Sequence, residues 1–158
     1  MKGLLKPDLQ VKSIFDIPLR ELRKKGINSL IIDLDNTITQ WNSLEISQEV
    51  FQWFEKIKHS GFKACLVSNN PGERVSLIAK ALGIPSIPKA GKPRRKAFRQ
   101  ALKLLNSSLQ ETAVVGDQIF TDVLGGNRMG LYTVLVDPIS SQEFIGTKIM
   151  RFFEKFCR

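Results

Sequence analysis

The sequence is poor in cysteine, with only Cys65 and Cys157 among its 158 residues. Two cysteines so far apart match neither a zinc-binding pattern nor the disulfide framework of a small secreted domain. Cys65 stands inside the apolar run 64–67, so we predict a buried free thiol there. We expect a cytoplasmic location, where thiols stay reduced, and the length predicts a single domain over residues 1–158.

Long apolar runs are also absent. No stretch approaches the roughly 20 apolar residues of a membrane-spanning helix. The N-terminal residues MKGLLKPDLQ lack the apolar region of a secretory signal. We therefore expect neither a membrane span nor export. The single histidine, His59, stands near the end of a predicted helix, where a solvated role is favoured over catalysis.

Acidic residues are few: 15 of them face 24 lysines and arginines, which gives a formal charge of +9 and a pI near 9.8. Such a charge favours an anionic partner, namely nucleic acid, an acidic membrane surface or a phosphorylated substrate. A solvated basic face explains the charge about equally well. Charge alone therefore leaves the partner open.

Short apolar runs alternate with segments of helical periodicity along most of the chain. We predict strands at 30–32, 63–67, 86–87, 112–115 and 132–136, and helices at about 47–60, 70–83, 93–105 and 119–129. In the first helix Val50, Phe51, Phe54 and Ile57 are predicted to share the buried face. In the second, Asn70 is the predicted N-cap. This alternation predicts an α/β fold with a parallel sheet covered on both faces.

Reactive side chains cluster at four places, each at a predicted strand end or helix start. They are Asp33, Asp35, Ser68, Asn69, Lys92, Asp117 and Asp122. In open α/β sheets, sites form beyond the carboxyl ends of the strands, so these groups are expected to meet. Converging carboxylates repel each other unless a cation lies among them, and all-oxygen ligands suit Mg²⁺. A carboxylate can attack phosphorus, a second can exchange protons, and a hydroxyl and a lysine can hold phosphoryl oxygens.

The same residues form four motifs that resemble those of the haloacid dehalogenase (HAD) superfamily. DLDNT at 33–37 matches the first motif, DxDxT, and GDQIFTD at 116–122 matches the fourth, GDxxxxD. Ser68 matches the second motif and Lys92 the third. The resemblance covers residues 30–122, most of the chain. It implies a Rossmann-like three-layer sandwich with a central parallel sheet, and hydrolysis of phosphomonoesters through an aspartyl-phosphate.

The resemblance also implies which residues carry the chemistry and hold the metal. Asp33 would be the nucleophile, and Asp35 the general acid and base. The Asp33 carboxylate, the Asp35 main-chain carbonyl and Asp117 would bind Mg²⁺. Asp122 would support the metal or its waters.

Phosphate binding is assigned in the same way. Ser68 and Lys92 would bind the phosphoryl group, and Asn69, which follows Ser68, would line the same site. Asn36 and Thr37 would shape the loop after the nucleophile, with direct contact in the site as an equal alternative.

The spacing of the motifs leaves no room for a large cap domain, which many HAD proteins carry. Asp35 and Ser68 are 33 positions apart, and Ser68 and Lys92 are 24 apart, enough for one helix each. The stretch 7–27, of the form P…VKSIFDI…L…GI, leads directly into DLDNT. It resembles the capless HAD-IIIA branch that contains YqeG-type proteins and phosphatidylglycerophosphate (PGP) phosphatases. PGP, an anionic phospholipid, is therefore the leading substrate.

Two other classes of function stay open. The first is a phosphatase of soluble substrates, such as a sugar phosphate, a nucleotide or a phosphoprotein, whose open site is covered by oligomerisation. The second is a non-enzymatic phosphoacceptor related to receiver domains. The order of motifs disfavours it, because receiver domains place the acceptor aspartate on a later strand. Nucleic acid is not expected as a partner.

Two segments leave peripheral contact with a membrane open. Arg94, Arg95 and Arg99 would place positive charge beside the site, although a solvated helix face explains them equally well. The C-terminal segment places Ile145, Ile149, Phe152, Phe153 and Phe156 on one helical face. Packing against the sheet is the default interpretation of this face, and a membrane-surface helix is the alternative.

Overall fold

A parallel sheet organises the chain in the computed structural model, which describes residues 2–139 and Glu154. Its strands are β1 (Leu9–Val11), β2 (Ser29–Ile32), β3 (Lys63–Val67), β4 (Ser86–Ile87), β5 (Thr112–Gly116) and β6 (Tyr132–Val136). Over residues 2–139 these six strands lie in the order β1-β6-β5-β2-β3-β4, and all neighbouring pairs are parallel.

Helices connect the strands, as a parallel sheet requires. They are α1 (Leu19–Lys24), α2 (Gln48–His59), α3 (Gly72–Leu82), α4 (Arg95–Leu105) and α5 (Leu124–Met129). Short 3₁₀ turns occupy Ile14–Asp16 and Leu109–Glu111, and a π-helical turn, Ile119–Val123, leads directly into α5.

The side chains of β2 alternate between the two faces of the sheet and divide the core into two layers. Leu30 and Ile32 pack in one cluster with Phe54 of α2, whereas Ile31 packs in another with Phe98 of α4. The sheet is therefore sandwiched between two helical layers, which confirms the predicted α/β three-layer fold. Within residues 2–139 no cap domain interrupts it.

The central position of β2 determines where the site forms. β2 pairs with β3 on one side and with β5 on the other, and Ile32 lies opposite Val115. The backbone N–H of Asp33 then donates to the Val115 carbonyl at 2.9 Å. This register places the residue after β2 next to the end of β5.

Helix α2 begins as predicted but buries a different face. Ser47 caps it, and its side chain accepts from the Val50 N–H. Phe51 is 38% exposed, and Trp53 is buried instead. The prediction for Phe51 was wrong because residues at 50, 53, 54 and 57 share one helical face, while position 51 lies to its side.

The starts of α3 and α4 lie a little beyond the predicted ones. Helix α3 begins at Gly72, with Pro71 rather than Asn70 at the N-cap position. The Asn70 side chain donates instead to Asp35, so it is not available to cap the helix. Helix α4 begins at Arg95, because Gly91 and Arg94 first close a turn through a 3.0 Å backbone hydrogen bond.

Cys65 is a buried free thiol, as predicted, and burial raises its pKa to about 12. His59 is exposed and its Nδ1 lies 2.7 Å from the Glu55 carbonyl oxygen, consistent with a helix-end role. In the part of the chain that the structure describes, no helix has both the length and the apolar character needed to cross a membrane. The apolar face predicted over 145–156, and Cys157, lie outside the described residues.

Candidate active site

The carboxyl edge of the sheet brings the predicted site residues together. Asp33 and Asp35 follow β2, and Ser68 follows β3. Asp117 follows β5. Because parallel strands end at the same edge, residues distant in the sequence become neighbours there.

Three carboxylates meet at the centre of the site. Single oxygens of Asp33, Asp117 and Asp122 all lie within 4.8 Å of one another. The Thr37 hydroxyl lies 3.4 Å from Asp33 Oδ2 and 3.3 Å from Asp117 Oδ1, so its one hydrogen reaches either oxygen. Asn36, with φ of 60°, turns the loop so that Thr37 enters the site. Clustered carboxylate oxygens are the donor set of a divalent metal.

Lys92 provides positive charge to this cluster. Its Nζ donates to Asp122 Oδ1 at 2.6 Å and to Asp33 Oδ1 at 2.9 Å, and its side chain is only 3% exposed. Burial acts to lower the pKa of Lys92, but Asp122 and Asp33 outweigh it and raise that pKa above its ordinary value. Lys92 therefore stays a cation and offsets part of the negative charge of the three carboxylates.

Asp122 is held by both of its oxygens. Oδ1 accepts from Lys92 at 2.6 Å and Oδ2 accepts from the Gln118 N–H at 3.2 Å. Burial is the main cause that raises the pKa of Asp122, and Lys92 offsets only part of it. A side chain at Gly116 would place its Cβ 2.1 Å from Asp122 Oδ2, so glycine is required for this approach. These contacts give Asp122 a role in positioning Lys92, while direct metal binding stays a prediction.

The predicted phosphate-binding residues line the neighbouring part of the site. Ser68 is buried, and its hydroxyl accepts from the Asn70 N–H at 3.1 Å. Both ends of the Asn69 amide pair with the backbone of Lys92: Nδ2 donates to its carbonyl at 3.1 Å, and Oδ1 accepts from its N–H at 2.8 Å. Asn69 thus joins the loop after β3 to the lysine loop, and its contact with phosphate stays a prediction.

Asp35 lies in a set of contacts that the sequence analysis missed. Both terminal nitrogens of Arg74 bind the Asp35 carboxylate, at 2.7 Å to Oδ1 and 3.0 Å to Oδ2. The Asn42 N–H donates to Asp35 Oδ1 at 2.7 Å, and the Asn70 amide donates to Oδ2. A signal was present, because Arg74 stands in the first turn of α3, where the helix dipole disfavours a cation without an acidic partner.

Glu154 is a second contributor that sequence reasoning missed. It is buried, and its Oε1 accepts from the N–H groups of Ile119 at 2.7 Å and Phe120 at 3.3 Å. A carboxylate is favourable at this position because the first N–H groups of a helical turn have no partners within it. Glu154 therefore stabilises the turn that carries Asp122.

Comparison with known proteins gives consistent matches. A family model described as mitochondrial PGP phosphatase matches residues 1–140. Probable phosphatase YqeG of Bacillus subtilis is 41% identical over 155 residues, covering 98% of this chain and 90% of that protein. Phosphatidylglycerophosphate phosphatase 1, chloroplastic/mitochondrial, of Arabidopsis thaliana is 29% identical over 156 residues, covering 92% of this chain and 45% of that protein.

Solved structures share the fold. The 3-deoxy-D-manno-octulosonate 8-phosphate phosphatase of Moraxella catarrhalis, in complex with magnesium, phosphate and KDO, matches with a TM-score of 0.51 and 21% identity. The match covers 64% of each chain. The fold, the four motifs and the relatives together define a phosphatase of the HAD superfamily, a phosphoric monoester hydrolase. Within that class, the chain belongs to the PGP phosphatase family.

Proposed function

We propose that this phosphatase depends on Mg²⁺, forms an aspartyl-phosphate on Asp33 and hydrolyses PGP. One observation carries the chemistry: among the residues of the acidic cluster, Asp33 alone reaches solvent. Its side chain is 13% exposed, whereas those of Asp122 and Lys92 are 1% and 3% exposed, and Asp117 is buried. An incoming phosphoryl group therefore meets Asp33 first.

The acidic cluster fits Mg²⁺. Asp33 and Asp117 would hold it, with the Asp35 main-chain carbonyl as the third predicted ligand and Asp122 in support. When bound, Mg²⁺ would supply positive charge that offsets the negative charge shared by the carboxylates and the phosphate. Lys92 adds a second positive charge on the side of Asp122.

The chain's own residues then perform two displacements at phosphorus. In the first, an Asp33 oxygen forms a bond to phosphorus, the bond to the leaving oxygen breaks, and Asp35 gives that oxygen a proton. In the second, Asp35 takes a proton from water as the water oxygen attacks phosphorus. The bond to Asp33 breaks, and inorganic phosphate leaves. Lys92 and Ser68 hold the phosphoryl oxygens in both steps.

PGP as the substrate is supported by the family and by the open site. The family model and the Arabidopsis relative both carry PGP phosphatase in their descriptions. Within residues 2–139 no cap covers the carboxyl edge, so a head group that stays in its bilayer can approach. Exposed Phe15 and Ile139 stand after β1 and β6 at this same edge. We therefore propose a cytoplasmic enzyme that works at the membrane surface.

A phosphate-release assay tests the proposal. PGP in vesicles is compared with sugar phosphates, nucleotides and a phosphoprotein, each with Mg²⁺ and with excess EDTA. We expect release from PGP that needs Mg²⁺ and is lost in Asp33→Asn. Release in EDTA would contradict the metal requirement. Release from soluble substrates but not from PGP would move the proposal to a soluble phosphomonoester.

A further inference from the structure

Glu154 is a buried acidic residue that has no part in the four motifs, which end at residue 122. It is only 1% exposed, and burying a carboxylate is costly unless the protein compensates its charge. Two backbone groups contribute to that compensation: Oε1 accepts from the N–H of Ile119 at 2.7 Å and of Phe120 at 3.3 Å. These contacts show where Glu154 can act.

The two N–H groups begin the π-helical turn Ile119–Val123. The first N–H groups of a helical turn have no carbonyl partner within it, so their acceptor must come from elsewhere in the chain. Hydrogen bonds from a backbone N–H to a carboxylate are shorter and stronger than those to a neutral oxygen. Glu154, 35 positions after Ile119, therefore holds the start of this turn.

The same turn determines where Asp122 lies. The Asp122 N–H donates to the Gln118 carbonyl at 3.0 Å, and Asp122 Oδ2 accepts from the Gln118 N–H at 3.2 Å. Asp122 also packs so closely on Gly116 that no Cβ would fit between them. Because the carboxylate is held on these sides, a displacement of the turn would displace Asp122 with it.

Asp122 connects the turn to the nucleophile through Lys92. Asp122 Oδ1 accepts from Lys92 Nζ at 2.6 Å, and the same nitrogen donates to Asp33 Oδ1 at 2.9 Å. The Lys92 side chain is only 3% exposed, so its position depends on these two carboxylates. One connected set of contacts thus leads from Glu154 through the turn to Asp33.

We propose that Glu154 is a positioning residue for the phosphatase, which acts through Asp122 to place Lys92 beside Asp33. The proposal rests on the proposed function for the roles of Lys92 and Asp33, and it adds to the site a residue beyond the four motifs. We expect Glu154→Ala to lower kcat by about 10- to 100-fold, the usual effect of losing a group that orients the residues of a metal site.

A double-mutant cycle between Glu154→Ala and Asp122→Asn tests this route, with single-turnover release of phosphate from p-nitrophenyl phosphate and Mg²⁺. If Glu154 acts through Asp122, Glu154→Ala should lower the rate little further once Asp122 is changed. Glu154→Gln keeps an acceptor oxygen for both N–H groups and should retain most of the activity. If Glu154→Ala does not fold, Glu154→Asp replaces it in the cycle, since it keeps the charge but draws the carboxylate back by one methylene group.

Glu111→Ala is the matched control, because Glu111 also binds a backbone N–H at a helical turn. Its Oε1 accepts from the Ser108 N–H at 3.2 Å, at the turn Leu109–Glu111 that precedes β5 at the amino edge of the sheet. Removing this capping contact should lower Tm. The kcat should stay unchanged, because this turn carries no residue of the site.

Amide hydrogen exchange in EDTA provides a readout that needs neither metal nor turnover. In Glu154→Ala the N–H groups of Ile119 and Phe120 should exchange faster, because they lose their acceptor. The Gln118 N–H should exchange faster as well, because its acceptor, Asp122 Oδ2, is displaced. In Glu111→Ala these three groups should exchange as in the unchanged protein.

The outcomes separate this proposal from the proposed function. A rate that falls by the same factor with and without Asp122, or an unchanged exchange of the Gln118 N–H, would overturn the positioning role. Faster exchange at Gln118 with an unchanged kcat would also overturn it. No turnover by the unchanged protein would contradict the proposed function, and the exchange at Gln118 would still decide whether Glu154 positions Asp122.

Discussion

In the proposed reaction, proton exchange at the site depends on how firmly Asp35 is held. Asn42, Asn70 and Arg74 contact its carboxylate from the loop and from α3, and its side chain is only 10% exposed. A carboxylate fixed in this way is preorganised to face one position, that of the leaving oxygen and later of the attacking water.

We expect Asp35→Asn to lower kcat by about 10²–10⁴, because asparagine keeps the size of the side chain but cannot exchange the proton. The variant should fold, since the Asn42 N–H still finds an acceptor, but with a lower Tm, because Arg74 loses its charged partner. The measurement is single-turnover phosphate release from a substrate with a poor leaving group, together with thermal unfolding. A folded variant with nearly normal turnover would exclude Asp35 as the acid and base.

The positive charge of Lys92 reduces the repulsion between carboxylates that lie close together. Replacing it with methionine leaves Asp33, Asp117 and Asp122 without that cation in a buried site. Breaking one side of a buried ion pair typically costs about 3–5 kcal/mol. We therefore expect Lys92→Met to lower Tm in EDTA, and Mg²⁺ to raise its Tm more than that of the unchanged protein.

The control for Lys92→Met is Lys103→Met, because Lys103 is exposed in the last turn of α4. Its Tm should respond to Mg²⁺ as the unchanged protein does. Equal Mg²⁺ responses in all three proteins would mean that Lys92 and the metal do not share one charge cluster.

At the scale of elements, helix α5 packs closely on its neighbours. A Cβ at Gly125 would lie 2.5 Å from the Phe98 ring, and Phe98 is fully buried in α4. The ring has no free space to enter, because interiors are close-packed. The approach of α5 to α4 therefore depends on glycine at this position.

We expect Gly125→Ala to destabilise the fold by about 1–3 kcal/mol, the usual cost of overpacking. Urea unfolding measures it. Gly72→Ala is the control, because its Cβ would meet Pro88 at an ordinary 3.5 Å in the first turn of α3. That variant should be as stable as the original protein or slightly more stable. Equal stabilities of both variants would show that α5 has room to shift.

Elements with a strong local pattern could be predicted from the sequence. The strands at 63–67, 86–87 and 132–136 match the observed ones, since each is a short apolar run between turn signals. Strand β1 was missed. It has three residues, none fully buried, and it exists because it pairs with β6 more than 120 positions later. No local pattern reports such a distant pairing.

The residues of the site likewise fall into those that the sequence predicts and those that it does not. Asp33, Ser68 and Asp117 could be placed together in advance, because each follows a strand and parallel strands end at one edge. The contact between Arg74 and Asp35 could not be predicted, because the two residues are 39 positions apart and meet only when α3 packs beside the loop. The start of α3 was missed for a related reason: the Asn70 side chain contacts Asp35 rather than its own helix.

At the scale of the whole molecule, positive charge lies at both edges of the sheet. Arg94, Arg95 and Arg99 are exposed at and beyond the start of α4, beside Lys92. The helices run back toward the opposite edge, so exposed lysines near their ends lie far from the site; these are Lys25, Lys80 and Lys103. If the carboxyl edge faces an anionic bilayer, only the three arginines of α4 and its start assist binding.

We expect the triple variant Arg94→Gln/Arg95→Gln/Arg99→Gln to lose most of its activity on PGP in anionic vesicles. Each basic residue near such a surface contributes about 1 kcal/mol of attraction. The loss should be larger at low salt, where screening is weak. Turnover of ethyl phosphate should change much less, since delivery to a surface plays no part in it. Vesicle sedimentation and phosphate release measure binding and chemistry separately.

The triple variant Lys25→Gln/Lys80→Gln/Lys103→Gln is the matched control, because it removes the same charge from the opposite edge. It should bind vesicles as the unchanged protein does if the carboxyl edge is the membrane face. Equal losses in the two variants would mean that net charge alone delivers the enzyme, with no preferred face. An arginine variant that loses as much activity on ethyl phosphate as on vesicles would place those arginines in support of the site. Full activity of the arginine variant on vesicles would contradict binding at a membrane surface and favour a soluble phosphomonoester as the substrate.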